Sequence, residues 1–251
     1  MGDVGRQLYL DLLIRTLANT IYQDAAWLPN GAEVRFDAAQ RATGADWPKV
    51  AHTMVGLRRL ENLRALAQST VDEAIPGDFI ETGVWRGGAC ILMRGVLAAS
   101  GVSDRKVYVA DSFEGFPPPN PDAHRNDKTL GLILHRAPQL VVGLEEVRQN
   151  FARYNLLDDQ VVFVKGFFKD TLSALDAGPF ALIRLDCDLY DATVDALSAL
   201  YPRLSSGGYV IIDDYNWIAE CRAAVTDCRS SMAISAPIHE IDGTGVWWRK
   251  P

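Results

Sequence analysis

Apolar residues in the first 77 positions recur at helical spacing. Leu10, Leu13, Ile14, Leu17 and Ile21 share one face, and Leu57, Leu60, Leu63 and Leu66 share another, which predicts amphipathic helices and no strand. Residues 23–50 mix Ala, Asp, Gly and Pro without a dominant period, so a loop or cap with short helical pieces is expected there. From Pro76 onward the pattern changes to short apolar runs alternating with helical stretches, the signature of a parallel sheet. Strands are predicted at Asp78–Thr82, Lys106–Ala110, Val161–Lys165, Phe180–Leu185 and Gly208–Ile212. The chain then breaks this rhythm: Ile238–Glu240, an Asp242-Gly243 turn and Gly245–Trp248 read as a hairpin-like ending. The expected fold is α/β, Rossmann-like and doubly wound. Its mostly parallel sheet, over 76–251, carries one antiparallel edge strand, and a helical extension over 1–75 precedes it.

One connection departs from short-loop expectations. About 50 residues separate the second and third strands, starting Phe116-Pro117-Pro118-Pro119-Asn120-Pro121. Leu144–Tyr154 reads as a helix, and the insertion over 117–145 is predicted to be a lid on an active site.

Length and composition narrow the class. The chain has 251 residues, 48% hydrophobic and 23% charged, which suits one large globular domain with an elaboration and excludes disordered or fibrous classes. Thirty-two acidic against 25 basic residues give a net charge of −7, so no broad basic footprint exists for nucleic acid or an anionic membrane. No stretch approaches ~18 apolar residues, and the N-terminus lacks a basic run followed by an apolar one. A soluble, unexported, cytoplasmic protein is expected. Cys90, Cys187, Cys221 and Cys228 fit neither a paired zinc motif nor a disulfide scaffold and are read as reduced thiols.

The candidate chemistry lies just after each strand, where an open parallel sheet holds its ligand. After the first comes Glu81-Thr82-Gly83-Val84-Trp85-Arg86-Gly87-Gly88-Ala89, a glycine turn opening a helix that suits an anionic or carboxylate-bearing ligand. It has neither the P-loop Gly-Lys-Ser/Thr nor the dinucleotide glycine spacing. After the second come Asp111 and Ser112, 28 residues beyond Gly83, where an acidic side chain can accept from both ribose hydroxyls, implying a nucleoside. After the third, Gly166-Phe167-Phe168 offers an aromatic pair on which a purine can lie. The fourth ends in Arg184-Leu185-Asp186-Cys187-Asp188 and the fifth in Asp213-Asp214-Tyr215. Carboxylates that close repel unless a cation compensates, and all-oxygen ligands favour Mg²⁺.

These residues resemble the macrocin O-methyltransferase family, class I methyltransferases that modify deoxysugars on macrolides and related natural products. The resemblance runs through Pro48-Lys49-Val50-Ala51-His52-Thr53-Met54-Val55-Gly56, the Glu81–Ala89 turn, Ala110-Asp111-Ser112-Phe113-Glu114-Gly115-Phe116-Pro117, Asn150-Phe151-Ala152-Arg153-Tyr154, Phe168-Lys169-Asp170-Thr171, Arg184-Leu185-Asp186 and Gly207–Tyr215. It implies S-adenosylmethionine as donor, held by Glu81, Thr82, Gly83, Gly87, Asp111, Ser112, Gly166, Phe167 and Phe168. It also implies Mg²⁺ held by Asp186, Asp213 and Asp214, Asp186 as general base, and a sugar hydroxyl of a glycosylated small molecule as acceptor.

Where family members carry Asp-Gly-Asp-Ser-Tyr, this chain has Asp186-Cys187-Asp188-Leu189-Tyr190, and the 117–145 segment matches poorly. Glu33, Trp47, Met54 and His135 fall in segments that could shape the acceptor pocket. The apolar N-terminal helix points to a homodimer or higher homo-oligomer. Competing readings are metal-dependent methylation of a catechol-like phenol, a donor-binding protein without turnover, and an NAD-dependent dehydrogenase, the last disfavoured by the glycine spacing.

Overall fold

The computed structural model describes residues 3–28, 31–118, 124 and 127–251. Helix α1 (Asp3–Leu17) leads into strands β1 (Ala26–Trp27) and β2 (Glu33–Val34), helix α2 (Ala38–Thr43), strand β3 (Trp47–Pro48) and helix α3 (Leu57–Asp72). The three short strands pair antiparallel in the order β2-β1-β3, a small sheet where the sequence pattern predicts none. Strands of two residues are too short to show a period. What organises this segment is Arg41, 1% exposed, whose guanidinium pairs with Asp24 at 2.9 Å and Asp46 at 3.0 Å.

The main sheet follows: β4 (Asp78–Thr82), helix α4 (Gly88–Ala99), β5 (Val107–Asp111), helices α5 (Asp127–His135) and α6 (Leu144–Arg153), then β6 (Val161–Lys165) and the short α7 (Phe168–Thr171). Strand β7 (Phe180–Leu185), helix α8 (Tyr190–Leu200), β8 (Leu204–Ile212), helix α9 (Ala219–Ser231), β9 (His239–Glu240) and β10 (Val246–Arg249) complete it. The order is β6-β5-β4-β7-β8-β10-β9. The first five strands of that order pair in parallel, and β10 runs antiparallel to β8. Of the expected strands, β8 is longer by four residues at its start, and β5 and β10 each begin one residue later than predicted.

Strand alternation divides the core into two layers. Phe79, Tyr209 and Ile211 face a layer with Leu10, Leu13, Ile14 and Leu17 of α1, Leu60 and Leu63 of α3, and α4. Ile80, Val210 and Ile212 face the opposite layer with Leu197 and Leu200 of α8 and Val225 of α9. The N-terminal helices therefore share a continuous core with the sheet. All four cysteines are buried and free. Among the described residues no helix is long and apolar enough to cross a membrane. The 117–145 insertion contains α5 and a turn of 3-10 helix at Pro138–Leu140, while residues 119–123, 125 and 126 lie outside the described residues.

Candidate active site

The parallel register brings the strand ends together. Thr82 is level with Leu185, which is level with Ile212, and the ladder runs one step further through Asp186 N to Thr82 O and Asp213 N to Leu185 O, both 2.9 Å. Gly83 makes this approach possible: at φ +79°, a Cβ there would fall 1.8 Å from the Asp186 carbonyl oxygen. Any side chain would push β4 and β7 apart just where the site begins.

On the α3 side of the strand ends lies a buried ionic network. Arg184, 1% exposed, pairs with Glu81 and with Asp213 and donates to Asp186 at 3.0 Å. Arg59, projecting from α3, takes the other Asp213 oxygen and reaches Asp242 at 3.3 Å. Glu81 also accepts from the Cys90 thiol at 2.7 Å. Burial pushes Glu81 up to about 7, against the pull of Arg184.

On the α8 side a different trio converges. Single oxygens of Asp186, Asp188 and Asp214 lie within 4.8 Å of one another. Burial and the neighbouring carboxylates raise all three: Asp213 acts on Asp186, Asp186 holds Asp188 up at about 7, and Asp188 lifts Asp214 well above the carboxylate range. Asp188 sits at φ +56°, a left-handed conformation uncommon for Asp, which aims its side chain into this cluster.

The expected metal set is Asp186, Asp213 and Asp214; the oxygens that meet in the structure are those of a partly different trio. Asp186 and Asp214 meet as expected, with Asp188 in place of Asp213. Asp213 is instead taken up by Arg59 and Arg184, one on each of its oxygens. Five carboxylates, Glu81, Asp186, Asp188, Asp213 and Asp214, face only two buried guanidinium groups in this region. The arginines neutralise Glu81 and Asp213. The trio is left with three hard oxygen donors that cannot all ionise without a counter-charge, which fits a divalent cation.

The trio opens into a cavity of about 840 Å³ lined by Gly83, Asp111, Ser112, Phe167 and Phe168 from the β4, β5 and β6 ends, with Asp186 and Asp188 from β7 and Met54 from the N-terminal segment. Asp111 accepts from Val84 N and Phe113 N, both at 2.8 Å, so its carboxylate ties the glycine turn to the next loop while facing the cavity. Burial raises Asp111 despite those amides. Ser112 Oγ donates to Gly115 O at 2.7 Å and shapes the rim.

Hydrogen bonds fasten the insertion over this cavity. Asp127, buried at the start of α5, accepts from the amides of Tyr190 and Asp191 at 2.7 and 2.9 Å. His135 Nδ1 meets Phe116 O at 2.9 Å, and Trp85 Nε1 donates to Gln139 O at 2.9 Å.

Other predicted residues lie apart from the cavity wall. Glu81 and Thr82 are buried behind it, Thr82 Oγ1 lying 3.1 Å from Cys187 Sγ. Gly87 caps the N-terminus of α4, and Gly166 turns out of β6 at φ +141°. Glu33 pairs at 2.6 Å with Lys49 in a largely exposed contact, and Trp47 sits in β3 opposite Trp27. His135 holds the rim rather than lining it. Sequence reasoning missed Arg184 and Arg59 as site residues. Arg184 had a signal, a charge inside the apolar run Phe180–Leu185; Arg59 had none, because its partner lies 154 residues away.

The strand order, the glycine turn after β4 and the acidic residue ending β5 define a class I methyltransferase. The calicheamicin methyltransferase CalS11 shares this fold at TM-score 0.57 and 21% identity, over 76% of this chain and 78% of that one. The family model for macrocin O-methyltransferases (TylF) matches residues 6–250, and the chain belongs to that family. It is similar to an 8-demethyl-8-(2,3-dimethoxy-α-L-rhamnosyl)-tetracenomycin-C 4'-O-methyltransferase of Streptomyces olivaceus, 54% identical over 99% of this chain and 95% of the relative. A mycinamicin III 3''-O-methyltransferase of Micromonospora griseorubida is 50% identical over 99% of this chain and 98% of the relative. The structure of the O-methyltransferase NovP superposes with TM-score 0.93 at 47% identity, covering 98% of this chain and 99% of that one. The protein is thus an enzyme, an O-methyltransferase.

Proposed function

We propose that this enzyme transfers a methyl group from S-adenosylmethionine to a hydroxyl of a deoxysugar carried by a glycosylated natural product, with Mg²⁺ at the acidic trio. The observation that carries the reading is the trio itself: three converging carboxyls, with one ion pair to arginine, two of which line the cavity that also holds Asp111 and the Phe167-Phe168 pair. Asp111 and Ser112 would hold the donor's ribose, Phe167 and Phe168 its purine, and the 83–87 turn its methionine end. Asp186 and Asp214 would hold the cation, since Mg²⁺ is usually bound through one or two carboxylates plus water.

When bound, the donor supplies an electrophilic methyl group and the cation lowers the pKa of a hydroxyl by several units. The chain's own groups do the rest. Both line the cavity, but Asp186 is restrained by Arg184 and Asp188 has no ion pair with an arginine among the described residues, so the base role expected of Asp186 passes to Asp188 in this proposal. Arg184 keeps Asp186 oriented, and the insertion seated on α8 acts as a lid that excludes water.

Labelled donor offered to a panel of glycosylated natural products and matched catechols tests this. Methyl transfer to glycosides, abolished by EDTA and restored by Mg²⁺, is expected. An EDTA-insensitive rate overturns the metal, and transfer to catechols alone overturns the acceptor. The exposed stripe of Val4, Leu8 and Leu12 on α1 supports a homodimer, to be checked by light scattering. The free buried thiols support a cytoplasmic setting.

A further inference from the structure

Trp217 stands 74% exposed three residues beyond Asp214. Its amide donates to Asp214 O at 3.1 Å and that of Asn216 to Thr244 O at 2.8 Å, so the turn carrying it is fixed to the acidic trio on one side and to the β9–β10 loop on the other. Beside it lies a second hollow, of about 480 Å³, walled by Tyr215, Trp217, Arg222 and Asp227. Its floor is already ordered. The Arg222 guanidinium lies over the Tyr215 ring at 5.1 Å, donates to Tyr215 O at 3.1 Å and bonds the Asn216 side chain.

Tyr190 bonds to one wall residue of this hollow and one of the main cavity. Its hydroxyl donates to Asp227 at 2.8 Å and its amide to Asp127 at 2.7 Å, and Asp127 lines the main cavity. Strand order fixes which reactant lies on this side. The residues suited to the donor come from β4, β5 and β6, whereas Trp217 follows β8, across β7 from them. Volume argues the same way. A cavity of about 840 Å³ is the size that encloses one drug-sized ligand, yet it must take a nucleoside donor and a sugar together. The rest of a glycosylated acceptor has to extend beyond the cavity, and the exposed indole is an apolar surface on the β8 side, next to the Asp227 that Tyr190 contacts.

Resting on the sugar-acceptor reading above, we propose that Tyr215, Trp217 and Arg222 form a subsite for the apolar ring system attached to the methylated sugar. The indole offers a flat face for stacking, and the guanidinium a polar edge for ring oxygens.

Calorimetry with two glycosides of one sugar tests it, using the intact enzyme with Mg²⁺ and S-adenosylhomocysteine. The probes are methyl α-L-rhamnoside and 4-nitrophenyl α-L-rhamnoside. The wild-type chain should bind the aryl glycoside at least about tenfold more tightly; Trp217→Ala should bring the ratio near one, and Trp217→Phe should restore most of it. Unchanged S-adenosylhomocysteine affinity in both variants shows that they are folded. A wild-type ratio near one, or a preference that survives Trp217→Ala, overturns the subsite and leaves the sugar-acceptor reading standing. Failure of either glycoside to bind the wild type counts against that reading itself, and against the subsite with it.

Discussion

Carboxylates cluster on both sides of the β7 and β8 ends, and the two sides treat them oppositely. Toward α3, Glu81 and Asp213 each face a buried guanidinium, and Asp213 faces two. Toward α8, Asp186, Asp188 and Asp214 converge with a single ion pair to arginine, from Arg184 to Asp186, among the described residues. Matched charges hold strands and helices in register, whereas unmatched ones create a demand that a ligand must meet. Position in the fold, not residue type, separates the paired scaffold carboxylates from the proposed reaction centre.

The largest expected effect comes from unmatching the matched side. Arg184→Met leaves Glu81 and Asp213 buried without their shared partner, and breaking such a network typically costs about 3–5 kcal/mol. Urea unfolding should show that loss; a variant as stable as wild type would mean the network is not structural. Asp188→Asn should do the reverse, lowering kcat by about 10²–10⁴-fold through loss of the base while relieving repulsion within the trio. Its unfolding midpoint should therefore hold or rise. Near-full turnover would return the base role to Asp186.

Asp111 lies outside both sets and tests the donor alone. Asp111→Ala removes a charged acceptor, so donor affinity should fall at least about tenfold, in line with roughly 1.5–3 kcal/mol for such a bond. An unchanged dissociation constant in a folded variant would remove Asp111 from the donor site.

The smallest effect is in pH dependence. Glu81 is raised from 4.5 to about 7 by burial, so between those values the folded chain binds more protons than the unfolded one. Its contribution is present at low pH and lost as pH rises toward about 7. His52, lowered from 6.5 to about 4 by burial and then by Arg153 and Arg86, has the opposite sign: its contribution is present above 6.5 and lost as pH falls. Glu81→Gln should remove the first slope and leave the second, so the variant's stability should climb more steeply with pH than that of wild type. Parallel curves for the two proteins would show that Glu81 stays ionised throughout.

Much of this was legible in the chain. The five parallel strands announced themselves as apolar runs, four of them because most of their residues are buried and edge strand β6 by its β-branched Val-Val-Phe-Val run, and the glycine turn and Asp111 follow from where such strands end. The small β2-β1-β3 sheet was not, since its strands are too short for a period and its anchor is the ion pairing of Arg41 with Asp24 and Asp46 across the segment. At the site, the acidic residues were visible, but their sorting was not. Asp213 and Asp214 are adjacent in sequence yet meet different partners, two arginines and the acidic trio, and Asp188 reaches the trio through a left-handed turn that no neighbouring glycine signals.

The carboxylate of Asp127 has a consequence for how this enzyme can be rebuilt. Helix α8 begins after Leu189, which offers no side-chain acceptor, and its first two amides are satisfied by Asp127 from the insertion. The insertion thus supplies a missing N-cap in trans, and a typical cap is worth about 1 kcal/mol. The segment is therefore not a detachable module. A chimera that borrows another relative's insertion must bring an acceptor to the same place or install one at position 189, or it will fray the helix that starts beside Asp188.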